Sequence, residues 1–493
     1  MGSSAPQSHA SMLATVTTDL DKIAPRFELQ PEQIEILKSP AEFYETLKDK
    51  ISKAKSRVYL STLYIGKTEH ELISTIRDSL QRNPNLKVSF LTDALRGTRE
   101  TPHASCASLL APLIAEFGSR VEVRMFHTPN LTGLRKKVVP KRLNEGWGLQ
   151  HMKLYGVDDE VIMSGANLST DYFTNRQDRY HLFKDARLTE YFSKIHAGIC
   201  DLSFDVQPAD IPAGYTMSWP SSNPSPSPLS SPPEFKKSAS KHLSHLLTPT
   251  KSPSPVAGGS NTTVYPVMSL VPLLNTSTEL PALTTILTSL AKPPLHPSTW
   301  TFTAGYFNMT PAFRRMLLAT RPASGTVLTA HPFANGFYGS KGVSGMLPHA
   351  YTHLSKMFLR KVKYEGLSDS IQLKEWQRGK INEKGGWTYH AKGLWVAFPP
   401  SSSASDMDKP EDPSLTVVGS SNYTKRSYEL DLEANVVIAT SDVGLRRKLG
   451  EEVKWLGEYA NKVDESEFER PERKVSIGVR LSMWLVRVLG GAL

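Results

Sequence analysis

Hydrophobic and polar positions alternate along the chain with two different periods. Residues Pro40–Ala54 carry apolar side chains at every fourth position, which predicts an amphipathic helix. Short apolar runs such as Arg57–Ile65 and Leu86–Leu91 are typical of buried strands. Strands and helices continue to alternate as far as Cys200, so we expect an α/β layered fold.

The same succession of elements returns in the second half of the chain. A strand at Ser298–Phe307, a helix at Pro311–Leu318 and a strand at Gly325–Ala330 repeat the order of the first half. A further strand is predicted at Ile371–Trp376. The repeated unit is roughly 170 residues long, which indicates a duplicated domain rather than a short solenoid repeat.

The segments outside this pattern set the predicted domain boundaries. Residues 206–262 are rich in Pro, Ser and Lys, a composition that is typical of flexible sequence. The C-terminal segment is basic and apolar, and fits either a membrane surface or the protein's own core. We therefore predict a disordered N-terminus at 1–25, a first domain at 26–205, a flexible insertion at 206–262, a second domain at 263–465 with an inserted loop at 398–415, and a basic amphipathic C-terminal helix at 466–493.

One stretch of the first half combines three side chains suited to a phosphate. Period-2 alternation places His151 and Lys153 on one face of a predicted strand. Asn167 follows the next strand, so the three groups converge at one end of a hairpin. An imidazole can act as nucleophile or proton carrier, an ammonium supplies fixed positive charge, and an amide donates hydrogen bonds.

The second half contains a matching set, His390, Lys392 and Asn422. An acidic residue, Asp178 or Glu433, lies 11 positions after each asparagine. A carboxylate can accept a hydrogen bond from the distal imidazole nitrogen and fix its tautomer. Two matched sets in two repeats indicate that a phosphate-binding arrangement has been duplicated.

Composition narrows the choice of partners. The chain of 493 residues has a net charge of +10, which favours anionic partners such as phosphorylated small molecules, anionic lipid or nucleic acid. No track of basic and aromatic residues is evident, so we expect no nucleic acid. The two cysteines have no metal-ligand spacing, and we expect no metal and no cofactor. We also expect no membrane-spanning helix, because no long uncharged apolar run occurs.

Two His-x-Lys motifs, each followed by a small-small-x-Asn turn, resemble the phospholipase D superfamily. The stretch Tyr172–Tyr180 and the early segment Ala41–Tyr44 are similar, within it, to the mitochondrial-type phosphatidylglycerophosphate synthases. The resemblance implies an α/β fold of two pseudo-symmetric phospholipase D-like domains. Each would be a mixed sheet flanked by helices, and both would share one active site at their interface.

The resemblance also implies an activity. The expected reaction transfers a phosphatidyl group from CDP-diacylglycerol to sn-glycerol 3-phosphate, through a phosphohistidine, with release of CMP. It implies a mitochondrial protein held peripherally on the inner membrane, in contact with anionic lipid. The alternatives are a phosphatidylserine or cardiolipin synthase, a phospholipase D, a nucleic-acid phosphodiesterase of the same superfamily, or a non-catalytic lipid-binding descendant.

The resemblance assigns roles residue by residue, with His151 as nucleophile and His390 as acid and base. A departure from the family motif is Ala397, which stands where the first half has Asp158; Asp406, Asp408 or Asp412 of the inserted loop are candidate substitutes. Asn175, Arg176 and Arg179 are either a substrate-phosphate clamp or, for the arginines, structural partners of Asp178. The implied sites are catalytic His151, Lys153, Asp158, His390 and Lys392; phosphate-binding Asn167, Asn422, Ser169 and Thr424; orienting acids Asp178 and Glu433; and the possible clamp Asn175, Arg176 and Arg179.

Overall fold

The computed structural model describes residues 8–140, 144–249, 260–400 and 411–488. Two nine-stranded mixed sheets form its framework. The strands are β1 Phe27–Leu29, β2 Ile34–Leu37, β3 Arg57–Ser61, β4 Lys87–Asp93, β5 Val121–Phe126, β6 Leu154–Val157, β7 Glu160–Ser164, β8 Arg176–Gln177, β9 Tyr180–Phe183, β10 Phe204–Pro208, β11 Tyr215–Ser218, β12 Thr262–Ser269, β13 Thr299–Ala304, β14 Ser324–Ala330, β15 Ile371–Trp376, β16 Thr388–Tyr389, β17 Lys392–Ala397, β18 Leu415–Gly419, β19 Glu433–Thr440 and β20 Ala460–Val463.

Helices flank both sheets. They are α1 His9–Leu20, α2 Pro40–Ser52, α3 His70–Arg82, α4 Ala94–Gly97, α5 Cys106–Phe117, α6 Gly133–Val138, α7 Thr170–Thr174, α8 Ala186–Cys200, α9 Pro232–Leu243, α10 Val271–Leu274, α11 Glu279–Leu290, α12 Pro311–Ala319, α13 Leu347–Tyr364, α14 Lys425–Glu429, α15 Val443–Leu456 and α16 Ile477–Val488. Among the residues described, no helix is both long and apolar enough to cross a bilayer.

The strand orders of the two sheets show the duplication directly. The first sheet runs β11-β10-β5-β4-β3-β6-β7-β9-β2, and the second runs β1-β12-β19-β18-β17-β13-β14-β15-β20. In each, three parallel strands are followed by three antiparallel ones, β5-β4-β3 with β6-β7-β9 and β15-β14-β13 with β17-β18-β19. The predicted fold of two pseudo-symmetric αβ domains is confirmed.

The two sheets meet through an apolar layer to which both halves contribute. Met163 and Phe183 of the first sheet belong to the same buried cluster as Val418 and Val436 of the second. Burial of this apolar surface fixes the two halves relative to one another. The same contact holds the ends of β6 and β19 close together, and the catalytic candidates lie there.

Three expectations about the outer segments were wrong. Residues 8–20 are not disordered: they include α1, whose apolar side chains pack into the core of the second half. The segment 206–249 is not a flexible insertion, because β10, β11 and α9 occupy it and Phe235 is fully buried. Strand β1 pairs with β12 of the second sheet, so the first domain does not begin at residue 26.

The remaining predicted segments are only partly described. Of the inserted loop predicted at 398–415, residues 401–410 lie outside the described residues, as do Asp406 and Asp408, and Leu415 already begins β18. Most of the C-terminal segment is helical: Val479 and Met483 of α16 are buried against Ala350 of α13. One face of this helix therefore packs on the protein itself.

Candidate active site

Each candidate histidine is fixed by a strand of the opposite half. Gln150 forms a parallel bridge with Leu432, and the backbone N–H of His151 donates to the carbonyl oxygen of Leu432 at 3.0 Å. This register brings the next residue, Glu433, opposite the imidazole. The Nδ1 atom of His151 lies 2.9 Å from Oε2 of Glu433.

The second histidine repeats this arrangement with the halves exchanged. Strand β16 pairs in parallel with β8, and the N–H of His390 donates to the carbonyl oxygen of Gln177 at 2.8 Å. The following residue, Asp178, accepts at Oδ2 from Nδ1 of His390 over 2.6 Å. The predicted acids do contact the histidines, but each acid comes from the other half, which the sequence did not reveal.

Both histidines face a single cleft of about 830 Å³ between the halves. Because each Nδ1 is bound to a carboxylate, each Nε2 is the ring atom available for chemistry. The Nε2 of His390 lies 3.5 Å from the hydroxyl of Tyr172, which also lines the cleft. The asparagines Asn167 and Asn422 line the same cleft, and each keeps a buried amide oxygen without a hydrogen-bond partner within the described chain.

The two lysines lie behind the histidines rather than in the cleft wall. Lys153 donates from Nζ to the carbonyl oxygen of His151 at 2.6 Å. Lys392 lies 3.1 Å from Oδ2 of Asp178 and 2.9 Å from Nδ1 of His390. Burial lowers the pKa of both ammonium groups, that of Lys153 to about 7. Both amines therefore lie beneath the imidazole rings, and Lys392 contacts the carboxylate of Asp178 there.

The two dyads differ in the state of their carboxylates. Burial raises the pKa of Glu433 to about 7. Burial alone would raise the pKa of Asp178, but the contacts with Lys392 and His390 outweigh burial and lower this pKa. Burial lowers the pKa of both histidines, that of His390 to about 3 and that of His151 well below its usual range. Both imidazoles are therefore neutral near physiological pH.

The remaining phosphate-binding candidates begin short helices at the cleft. Thr424 lines the cleft and accepts from the N–H of Ser427 at 3.3 Å, as the N-cap of α14. Ser169 is the N-cap residue of α7 and opens on a neighbouring recess beside Tyr64, so the structure does not place it in the central cleft.

Only one member of the predicted clamp faces the cleft. Arg176 lines it and is held by Thr388 at 3.0 Å, by Asp171 at 3.1 Å and by the ring of Tyr172. Asn175 instead donates to the carbonyl oxygen of Gly386 at 3.0 Å, which ties the halves together.

Arg179 does not line the cleft, and its guanidinium forms no ion pair with the Asp178 side chain. That group is fully buried, bonds both oxygens of Glu452 at 2.9 and 2.8 Å, and stacks 3.7 Å from the ring of Trp395. The guanidinium of Arg179 joins the two halves and is paired with a buried carboxylate, so its role is in the fold.

Asp158, which was predicted to be catalytic, does not line the cleft. It lies in the β6–β7 turn with φ +50°, at the end of β6 away from His151. Its carboxylate accepts from the backbone N–H groups of Lys55, Ser56 and Arg57 at 2.8 to 3.1 Å. These bonds lower its pKa although partial burial opposes the shift. Ala397 occupies the corresponding place at the end of β17 and does not line the cleft either.

Several cleft residues were missed by the sequence analysis. Each of three further arginines in the cleft wall is paired with a carboxylate that also lines it: Arg96 with Glu100 at 3.3 Å, Arg99 with Glu145, and Arg426 with Asp431 at 3.2 Å. The tyrosines Tyr64, Tyr306 and Tyr351 complete the wall. Arg96 follows the end of β4, and the second repeat has an equivalent strand end in β14. This recurrence could have identified Arg96 as a candidate from the sequence.

The fold and the paired dyads define a phosphodiester-transfer enzyme of the phospholipase D type. A solved structure of phosphatidylserine synthase from Haemophilus influenzae Rd KW20 has the same fold, with a TM-score of 0.69 and 21% identity over 97% of this chain and 98% of that one. No protein-family model matches the chain.

Sequence comparison gives the particular family. The chain is 45% identical over 491 residues to the CDP-diacylglycerol–glycerol-3-phosphate 3-phosphatidyltransferase of Saccharomyces pastorianus, covering 98% of this chain and 93% of the relative. The mitochondrial protein of that name from Homo sapiens is 34% identical over 94% of this chain and 84% of its own length. The chain belongs to the family of CDP-diacylglycerol–glycerol-3-phosphate 3-phosphatidyltransferases.

Proposed function

We propose that this protein transfers a phosphatidyl group from CDP-diacylglycerol to sn-glycerol 3-phosphate and so makes phosphatidylglycerophosphate and CMP. The observation that carries the proposal is the exchanged pair of dyads. His151 with Glu433 and His390 with Asp178 face one cleft, and each needs both halves. Phosphodiester exchange requires a nucleophile and a proton carrier on opposite sides of one phosphorus, and this geometry supplies both.

In the first step, Nε2 of His151 attacks the phosphorus that carries the diacylglycerol. His390 is neutral in the free protein, and the negative charge of the bound diphosphate raises its pKa so that Nε2 takes up a proton when the donor binds. The P–N bond forms as the bond between that phosphorus and the bridging oxygen of CMP breaks, and His390 gives this Nε2 proton to the oxygen. In the second step, His390 removes the proton from the acceptor hydroxyl of glycerol 3-phosphate. The new P–O bond forms as the P–N bond breaks, and both histidines return to their starting states.

The difference between the dyads supports His151 as the nucleophile. A nucleophilic imidazole must be neutral, and a carboxyl group whose pKa is raised to about 7 provides little support for an imidazolium at His151. An ionised Asp178 stabilises positive charge on His390, as the proton donor requires. The negative charge of a bound diphosphate beside Nε2 raises the His390 pKa further toward that role.

The surrounding cations stabilise the phosphoryl oxygens. Arg176 lines the cleft near His390, and Arg426 lines it together with Asn422 and Thr424. Their guanidinium groups are held in place by Asp171 and by Asp431, so they keep their orientation as charge develops. Lys153 and Lys392 add positive charge from behind the rings. Such fixed charges are the largest contribution to many phosphoryl-transfer reactions.

A direct assay tests the reaction. Purified protein, CDP-diacylglycerol in mixed micelles and labelled glycerol 3-phosphate should yield labelled phosphatidylglycerophosphate and an equal amount of CMP. Activity with serine but not with glycerol 3-phosphate would make the protein a phosphatidylserine synthase, and activity with water alone would make it a phospholipase. A double His151→Ala/His390→Ala variant serves as the inactive control.

We also propose a mitochondrial location on the inner membrane, with peripheral attachment. The relatives from Gallus gallus, Homo sapiens and Mus musculus are mitochondrial by name, which supports the compartment. The lipid substrate and the basic net charge of +10 support contact with an anionic bilayer. Fractionation of mitochondria with alkaline carbonate tests this, because a peripheral protein is released whereas an embedded one stays in the pellet.

A further inference from the structure

The short helix α6 exposes apolar side chains that no part of the described chain covers. Leu134 is 77% exposed and Val138 is 71% exposed. They are four positions apart, so they project from the same face of the helix. None of the six residues of α6 is buried. A rigidly placed apolar face of this kind is typical of an interaction surface.

Helix α6 is tied by hydrogen bonds to a loop that contributes to the wall of the catalytic cleft. Arg135 donates to the carbonyl oxygen of Asn130 at 3.1 Å, and the Asn130 amide reaches the carbonyl oxygen of Trp147 at 3.4 Å. Two residues before Trp147, Glu145 lines the cleft and pairs with Arg99. These contacts anchor the base of α6 to the first-half wall of the site.

The charge around the apolar face of α6 identifies its partner. Arg135, Lys136 and Lys137 are consecutive, exposed and positioned between Leu134 and Val138. Apolar side chains surrounded by cations match the interface of a bilayer that contains anionic lipid, where the apolar groups insert and the cations meet the headgroups.

The second half has the same combination. Val479 of α16 packs on Ala350 of α13, and the neighbouring Tyr351 lines the cleft. Ile477 and Leu481 of α16 are 82% and 55% exposed. Each half therefore has an exposed apolar helix face that is joined by a few contacts to residues of the cleft wall. Both faces have basic neighbours, which for α16 include the exposed Arg480.

We propose that α6 and α16 are two membrane-contact points that seat the cleft mouth on an anionic bilayer. This rests on the lipid substrate proposed above. Two histidines, two asparagines and four arginines line the cleft, so its polar groups suit the diphosphate of the donor. With both helices on the membrane, the acyl chains remain in the bilayer while the diphosphate reaches His151 and His390.

Vesicle binding of the full chain tests the first contact point. Wild-type protein should co-sediment with phosphatidylcholine vesicles that contain an anionic phospholipid, and at least tenfold less with phosphatidylcholine alone. A Leu134→Glu/Val138→Glu variant should lose at least tenfold in binding to the anionic vesicles. Val443→Glu is the matched control: this residue is 76% exposed, but it follows the end of β19 opposite to Glu433. It should bind as the wild type does.

The second contact point and the enzyme activity complete the test. Leu481→Glu should weaken vesicle binding, and combined with the α6 changes should abolish it. In mixed micelles, where no bilayer has to be engaged, the α6 variant should keep wild-type turnover. Wild-type binding by the α6 variant, or no binding by the wild type, would overturn the docking inference alone. An inactive wild type in micelles would overturn the proposed function instead.

Discussion

Nδ1 of His390 lies 2.6 Å from Oδ2 of Asp178, although the two residues belong to opposite halves of the molecule. His151 and Glu433 repeat this relationship at 2.9 Å in the reverse sense. Each half thus provides one histidine and the carboxylate that contacts the histidine of the opposite half. Neither half contains a complete dyad by itself, so the site is assembled only when both halves dock.

Loss of the Asp178 carboxylate should reduce turnover without unfolding the protein. Asp178→Asn keeps the size of the side chain but presents an amide that no longer fixes the His390 tautomer, so we expect kcat to fall on the order of 10³-fold with little change in KM. Steady-state kinetics with CDP-diacylglycerol measure this. Glu375→Gln is the matched control, since Glu375 is equally buried in an ion pair with Arg473 outside the central cleft. An unaltered kcat in Asp178→Asn would contradict the role of the dyad.

The assignment of the nucleophile predicts which variant retains a covalent intermediate. With donor labelled in the diacylglycerol phosphate, His390→Ala should still accumulate a labelled, acid-labile phosphohistidine, because CMP can leave as an unprotonated phosphate, although more slowly. The second step should stall in this variant, since no base removes the proton from the acceptor hydroxyl. His151→Ala should form none. Rapid quenching and peptide mapping locate the label. Label on His390 in the His151→Ala protein would reverse the two roles.

Arg176 and Arg179 are three positions apart and should respond to mutation in opposite ways. Arg176→Gln removes a cation from the cleft, so kcat/KM should fall about 10²-fold while the thermal unfolding midpoint is nearly unchanged. Arg179→Gln leaves the buried Glu452 unpaired and should destabilise the fold by about 3–5 kcal/mol. Calorimetry and kinetics on both proteins distinguish the two roles, and a stable but inactive Arg179→Gln would contradict them.

Periodicity predicted the duplicated α/β framework because burial of each sheet imposes a strong pattern on its strands. It failed where composition concealed a pattern. Phe235, Ala239 and Leu243 recur every fourth residue and are fully buried in α9, yet the surrounding proline and serine favoured a flexible interpretation. Local chemistry alone cannot reveal that such a segment has a core to pack against.

The candidate site shows the same limit. The repeats identified His151, His390 and their acids from the sequence, since matched spacing is a local property. Their exchange between halves depends on how two distant surfaces dock, and no spacing encodes that. Arg179 looked like a substrate ligand because its partner Glu452 is 273 positions away.

Buried His196 should make the stability of the fold depend on pH. Its ring nitrogens lie 2.8 Å from the hydroxyls of Ser61 and Ser89, and burial lowers its pKa to about 3 from the ordinary 6.5. The unfolded chain therefore binds a proton that the folded protein does not. The free energy of unfolding therefore has its full contribution from neutral His196 above about pH 6.5. It falls by about 1.4 kcal/mol per pH unit as the pH decreases from there toward 3.

A His196→Gln variant should remove that dependence. Between about pH 7.5 and pH 5.5 the wild type should lose about 1.4 kcal/mol of unfolding free energy more than the variant does. Urea denaturation at both pH values gives this double difference. His103→Gln, at an exposed histidine, is the control and should follow the wild type. Parallel pH profiles for wild type and His196→Gln would show that His196 is not the group involved.

Asp158 should matter for stability and not for catalysis. Its carboxylate holds three backbone N–H groups and the hydroxyl of Ser56 at 2.9 Å, in a turn with φ +50°. Asp158→Asn tolerates that backbone conformation but gives up the charged acceptor, so we expect about 1–3 kcal/mol of destabilisation. The kcat should stay within about twofold of the wild type, because an extended segment of seven residues, about 23 Å long, runs from His151 to this turn. A large loss of kcat in a folded Asp158→Asn protein would return Asp158 to the catalytic set.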